Sequence, residues 1–463
     1  MAIIEALLQA LGSEKVVLDP VARSERRHDY WVLSWLADHL GQPGPPPACV
    51  VRPTSVADVQ TVLREAARAG APVIPYGSGS GVVGGVLASE AAVLLDMGAM
   101  NATLFVDETN LLASFGAGKN GLEAEAAVAA KGLTVGHWPQ SIAVSTVGGW
   151  VATRASGQYS TLNGNIEDIL HSLEAVLPDG TAVSLGKGPR ASAGPDLRQL
   201  LLGSEGTLGV ITTVTLSLRR AAEAQAFSCF AAPSMAAGFE FQRQLIQSGW
   251  RPPVARQYDA REAGRLDSRC ATPLVFLVHE GPATLVEAER AAAAVDARRF
   301  GLTPAPEDIA RSWLDHRNTV PSWPSFFERN LIVDTVEVSA SWSAIGRVYD
   351  EAVAALAAIP GCLNGSAHSS HAYRSGLNLY FTFAIRADDL AELAPRYREA
   401  WTAIMTATAA NGGSLSHHHG IGRVRAPWLE RELGVTGVDL LRRLKQALDP
   451  AGMMNPGVLL PDA

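Results

Sequence analysis

Between residues 74 and 85 the chain reads IPYGSGSGVVGG, an apolar run that breaks into glycines and small hydroxyls. Gly79, Gly81 and Gly84 spell G-x-G-x-x-G, a pattern that can hold a dinucleotide. In a doubly wound fold the last glycine opens a crossover helix whose N-terminus faces the diphosphate. Here the next apolar run, AVLLDM from Ala92, starts a few residues beyond Gly85 and leaves no room for that helix. The spacing predicts a loop strung between two strands. Three readings stay open from these residues: a doubly wound site, a ligand-free turn, or a nest of backbone N–H groups around an anion. Glycine supplies the backbone freedom that a nest needs at several positions in succession. No G-K-[ST] follows, so a nucleoside triphosphatase is not indicated.

A second stretch of small residues supports the nest. HWPQSIAVSTVGGWVATRASGQYSTLNGNIEDIL, residues 137 to 170, predicts a short helix over Gly148 to Ala155, with Ser145 and Thr146 at its N-terminus. DILHSLEAVLPDGTAVSL then reads as strand, Pro-Asp-Gly turn, strand, and GVITTVTLSL as a further strand. Upstream, GQPGPPPACVV breaks the chain. Ser55 caps a helix with Val59, Val62, Leu63 and Ala66 on one face, ended by Gly70. Beyond residue 220 helical periods in FEFQRQLIQSGW and ATLVEAERAAAAVDARRFG alternate with strand-like CATPLVFLVHEG, LIVDTVEVSASW and LNLYFTFAIR. That order predicts an α+β unit with an antiparallel sheet.

At 463 residues, 47% apolar and 18% charged, the chain is long enough for two or three domains with large cores. A net charge of −8 without a basic stripe argues against nucleic acid. Cys49, Cys229, Cys270 and Cys362 are dispersed and form no C-x-x-C pair, so neither a disulfide framework nor a structural zinc is expected. The first residues read as an amphipathic helix rather than a leader, and no run is long enough to span a bilayer. A cytoplasmic protein without an integral membrane segment is expected.

The two glycine-rich stretches, GSEGTLGVIT, and NGGSLSHHHGIGRVR near the C-terminus together resemble flavoenzymes of the vanillyl-alcohol oxidase superfamily. Within it they look most like the alkylglycerone-phosphate synthases, and the resemblance runs from about residue 15 to the end. It implies FAD and an α+β fold. Residues 48–220 would form a two-subdomain FAD-binding domain of the PCMH type, and 221–410 an α/β substrate or cap domain with an antiparallel sheet. Residues 1–47 would be an N-terminal helical segment, and 411–463 a C-terminal helical segment returning to the FAD. On this reading Pro75, Gly77, Ser78, Gly79 and Ser80 form the first binding loop. Pro139, Ser141, Thr146, Gly148, Gly149, Thr153, Ser156 and Gly157 form the second, with Glu205 and Ile211 along the cofactor.

The resemblance also puts His417, His418 and His419 at the flavin and substrate, Tyr380 on a general acid/base tyrosine, and Arg256 and Tyr373 on the substrate side. Imidazole passes protons near neutral pH, whereas a phenol needs assistance to act as a base. Extended backbone through the histidines would let one ion take at most His417 and His419. Related hydroxyacid dehydrogenases bind a metal where this chain has Tyr373, Tyr380 and His418, a poor ligand set, so no metal is expected. The synthases also carry a substrate-facing Arg-Asp pair, which by spacing falls here near Trp323 and Pro324, with Arg317 or Arg329 as possible substitutes. His28 is a candidate neighbour for a covalent flavin link, without a specific attachment signal. Two reactions of a small anionic or lipid-linked substrate stay open: synthase-like chain exchange and oxidation of a hydroxylated carbon. A non-catalytic flavin protein is the alternative, and a homodimer is expected.

Overall fold

The computed structural model describes residues 2–319 and 322–460. The first sheet has four strands in the order Val16–Val17, Cys49–Val51, Val93–Asp96, Val73–Tyr76. The last three of these run parallel. The crossover between Cys49–Val51 and Val73–Tyr76 is the helix Val56–Ala69. Ser55 and Asp58 close a capping box at its start, and Gly70 ends it with φ 64°. Its buried side includes the four apolar residues expected from the period, so pattern and cap agree. After Tyr76 the chain forms the glycine loop and proceeds directly to Val93–Asp96 without a helix, as the spacing requires.

A five-stranded antiparallel sheet follows, in the order Thr103–Asp107, Leu112–Gly116, Val210–Ser217, Leu170–Val176, Ala182–Leu185. The helix Val147–Thr153 packs on it through Val147, Trp150 and Val151. The third large sheet is antiparallel, with seven strands: Thr303–Pro304, Ala224–Ala231, Leu274–Gly281, Val254–Tyr258, Cys362–Ser369, Gly376–Arg386 and Leu331–Ser341. One face of its last strands buries Val336, Val338, Ala367, Leu379, Phe381 and Phe383 under the helices Ile345–Ala357 and Leu393–Ala410. Strict alternation leaves the opposite face of those strands free for polar work.

The C-terminal chain ties the halves together. After the helix Leu429–Leu448, Met454 bridges to Val73, and the Asn455 side chain donates to the carbonyls of Gly85 and Glu205 at 3.0 and 2.7 Å. Among the described residues no helix is long and apolar enough to cross a membrane.

Candidate active site

The two glycine-rich segments meet. A Cβ on Gly77 would lie 2.5 Å from Thr146 Oγ1, and Ser78 Oγ donates to the Val144 carbonyl at 2.6 Å. Thr146 is the N-cap of Val147–Thr153, accepting Gly149 N–H at 3.3 Å. Gly148 abuts Ala117, and a Cβ there would sit 2.6 Å from the alanine methyl. Thr153 Oγ1 donates to the Gly149 carbonyl, Ser156 Oγ to Asn165 Oδ1, and Gly157 packs on the backbone of Trp138. Pro139 and Ser141 accept through their carbonyls from Ile142 and Val144, shaping the turn before Thr146. Gly79 takes φ 70° over the Tyr76 hydroxyl, Ser80 follows in the open loop, and Pro75 backs the loop against Gly206.

Among the described residues, no backbone N–H from Ser78 to Gly84 donates to a protein acceptor, nor do those of Ser145, Thr146, Ser156 and Gly157. Backbone donors without partners beside buried small residues need an external acceptor. Two facing rows of such donors fit a diphosphate without help from lysine or arginine.

Two buried carboxylates brace these loops, and neither requires the ligand to do so. Asp29 accepts N–H bonds from Trp31, Gly85 and Val86 at 3.1, 2.7 and 3.4 Å. Glu205 accepts Ile421 and Gly422 at 2.7 and 2.8 Å. Burial pushes each up to about 7, against the pull of those donors. Glu205 was expected along the cofactor, and its carboxylate is committed to the C-terminal loop. The Ile211 side chain packs into the core of the five-stranded sheet. Asp29 carries no motif, which is why sequence reasoning passed over it. Both nitrogens of His28 are engaged, Nδ1 with the Asp29 carbonyl and Nε2 with Asp38.

On the polar face of the seven-stranded sheet, register pairing aligns one residue from each of four adjacent strands: Tyr258, His368, Tyr380 and Glu337. The His368 ring stacks between Tyr258 at 5.1 Å and Tyr380 at 4.9 Å, and Tyr380 stacks on His418 at 5.8 Å. Glu337 and Arg425 are fully buried and paired. Burial alone would raise the carboxyl, but Arg425 and the nearby histidines hold it well below its usual range. The same carboxylate accepts the N–H groups of His417, His418 and His419.

Those bonds bend the histidine segment, which corrects the expectation of extended backbone there. Neighbouring rings converge instead of alternating: His417 Nδ1 and His418 Nδ1 are 2.8 Å apart. His417 Nε2 is hydrogen-bonded to the Tyr373 hydroxyl at 2.6 Å, and that hydroxyl donates to Asn165 beside the second glycine segment. His371 stacks on His417 at 4.8 Å and is bonded to Ser160 Oγ. His371, His417 and His418 have ring nitrogens within 4.8 Å of one another, a spacing at which an ion could be shared. Burial keeps all three imidazoles neutral, with His417 down at about 4. Burial likewise lifts Tyr373 to about 12 and Tyr380 above its ordinary value.

Arg256 is buried between the rings of Tyr258 and Trp313, and its Nε donates to the Tyr258 hydroxyl at 2.9 Å. Its Nη atoms have no protein partner among the described residues. Trp323 is buried against Tyr30 and donates to the Tyr30 carbonyl, and Pro324 opens a short helix. Arg317 lies over Trp138 and Tyr159, while Arg329 is exposed. Besides Asp29, sequence reasoning missed His368, His371, Glu337 and Arg425 around the histidine run. Only the alternation of DTVEVSASW and the spacing of HSSH hinted at them.

The chain matches two family models, the FAD binding domain over residues 47–186 and the C-terminal domain of FAD linked oxidases over 221–459. It is 33% identical over 482 aligned positions to an uncharacterised FAD-linked oxidoreductase, YgcU, of Escherichia coli K12, covering 99% of this chain and 98% of that one. It is 30% identical to the alkyldihydroxyacetonephosphate synthase of Dictyostelium discoideum, covering 91% of this chain and 74% of the relative. A solved alkyldihydroxyacetonephosphate synthase superposes with a TM-score of 0.81 at 26% identity, covering 98% of this chain and 85% of that one.

Proposed function

The chain belongs to the FAD-linked oxidases of the vanillyl-alcohol oxidase type, and from that premise we propose that it oxidises a hydroxyl-bearing carbon of a small substrate carrying an anionic group. FAD is its cofactor, and when bound it supplies the two-electron acceptor. The unpartnered donors of Ser78–Gly84 and of the Thr146 segment suit its diphosphate.

The observation that carries the reading is Arg256. A buried guanidinium with Nε fixed and Nη free, at one end of a row that includes Tyr380, is suited to a carboxylate or phosphate oxygen. The anion would then leave the neighbouring carbon near Tyr380 and His418. Tyr380 and the histidine run would border the reacting hydroxyl, and Tyr373 would steady His417.

Oxidation is favoured over chain exchange by Trp323 and Pro324. At the positions expected for a second charged pair, the chain has a buried indole and a helix-opening proline. A phosphate ester carrying a long chain would lose that contact.

The test is anaerobic mixing of the yellow protein with a panel of 2-hydroxy acids, hydroxylated phosphates, and acyl-dihydroxyacetone phosphate plus a fatty alcohol. Bleaching of the flavin band by a hydroxylated anion alone is expected. An ether product formed without bleaching would replace oxidation with exchange.

A further inference from the structure

His368 has the geometry of a base held in place. Its Nδ1 lies 2.6 Å from Glu262 Oε2, and its ring is clamped between Tyr258 and Tyr380. Glu262 sits in the first turn of the helix Ala260–Leu266, capped by Asp259. Its other oxygen accepts from Ser366, with Arg265 alongside. Asp259 in turn accepts the Ala367 N–H, so helix and strand are locked together. Bonded to a carboxylate, Nδ1 carries the hydrogen and Nε2 keeps its lone pair. Among the described residues Nε2 has no protein partner, and it is not among the buried unpaired atoms.

A carboxylate behind Nδ1 and a free Nε2 is the logic by which an imidazole is oriented as a general base. Tyr380 is less suited to that task. Its hydroxyl accepts from Thr335 Oγ1 at 3.0 Å, and burial with Glu337 and Asp334 nearby keeps the phenol protonated. The groups facing His368 are Glu262 and Asp259 on the acid side, Arg256 and Arg265 on the cationic side, with Tyr258, Tyr380 and His371.

Resting on the oxidation reading above, we propose that His368, oriented by Glu262, is the residue that removes the substrate hydroxyl proton, with Tyr380 as a hydrogen-bond donor beside it. The O–H bond breaks and its proton goes to Nε2. Bound oxidised flavin would supply the acceptor for the C–H hydrogen and its electron pair, so that the C–O bond would become a carbonyl. The imidazolium is balanced by the Glu262 carboxylate until product leaves and the proton passes to water.

The experiment uses FAD-loaded protein, the hydroxylated anion that bleaches it, and the variants His368→Gln and Glu262→Gln. His368→Gln is expected to keep its colour, at a lower urea midpoint because Glu262 loses its partner, while bleaching slows by about 10²–10⁴-fold, the usual worth of a general base. Glu262→Gln is expected to move the rising limb of the bleaching rate to lower pH, because the carboxylate that favours the imidazolium is gone. Independently of turnover, the ¹⁵N-histidine signal absent from His368→Gln should report a bare Nε2 at neutral pH. Unchanged bleaching and pH limb in His368→Gln, or an Nε2–H tautomer, overturns the assignment while oxidation stands. Wild-type protein that no hydroxylated anion bleaches overturns both.

Discussion

Glu337 stands directly across from Tyr380 in the pairing of Leu331–Ser341 with Gly376–Arg386. From that position its carboxylate accepts the N–H groups of His417, His418 and His419 at 3.2, 2.9 and 2.7 Å. One buried charge thereby sets both the row of side chains on the sheet and the loop that closes over it. Arg425 makes this possible by neutralising the carboxylate while resting on the Trp401 ring.

Breaking that pair should be costly. Glu337→Gln leaves a buried guanidinium without its counter-ion, and Arg425→Met leaves a buried carboxylate. Each is expected to lower the urea-derived stability by about 3–5 kcal/mol. The double variant should lose clearly less than the sum, since neither charge is then stranded. Additive losses in a double-mutant cycle would show that the two groups act separately.

Asp29 and Glu205 predict the shape of a pH profile. Their folded-state values near 7 lie above the ordinary 3.8 and 4.5, so the native state holds more protons than the unfolded chain between those limits. Stability from these groups is full below about pH 4 and falls as pH rises toward 7. The loss is on the order of 4 kcal/mol for Asp29 and 3 kcal/mol for Glu205. Glu262, held down near 2 by His368 despite its burial, contributes the opposite slope at lower pH. Urea melts of wild type, Asp29→Asn and Glu205→Gln from pH 4 to 8 separate the two. The variants should be flatter in that window, and an unchanged slope would refute the assignment.

The close contacts of the glycine segments make flavin retention sensitive to a single methyl. Gly148→Ala would place Cβ 2.6 Å from the Ala117 methyl and 2.9 Å from its carbonyl, in the turn directly after the strand Leu112–Gly116, where the Ala117 N–H is tied to the Thr212 carbonyl at 2.9 Å. Overpacking of this kind costs about 1–3 kcal/mol, and the helix it displaces is the one capped by Thr146. Gly346→Ala, inside the helix Ile345–Ala357 with open space around it, is the control and should stabilise by about 0.5–1 kcal/mol. The ratio of flavin to protein absorbance should fall for the first and stay level for the second.

The glycine loops were legible because conformation and spacing are local properties: too few residues separate Gly85 from Val93 for a helix, whatever surrounds them. The helix after Ser55 was legible for the same reason, with cap and period in one stretch. Asp29, Glu262 and Glu337 were not. Each is an ordinary acid in a polar position, and its role arises from partners 56, 106 and about 80 residues away. The histidine run shows the limit from the other side. Its residues were conspicuous, but alternation misjudged their directions because Glu337 gathers three consecutive N–H groups and bends the chain.

Arg256 carries the substrate reading, and its removal should act on binding more than on chemistry. Nε is already committed to Tyr258, so the guanidinium is oriented before any anion arrives. Arg256→Met keeps much of the stem between Tyr258 and Trp313 but removes the free donors. Charge-assisted hydrogen bonds are worth about 1.5–3 kcal/mol, which corresponds to a rise in KM of roughly 10–100-fold. The limiting bleaching rate should change far less, because a contact to the anion is made alike in the ground state and the transition state. A neutral ester of the same substrate separates charge from packing: wild type should handle it about as poorly as Arg256→Met handles the acid, and the variant should lose nothing further. Equal loss on acid and ester would mean that Arg256 supports Tyr258 and the sheet rather than an anion.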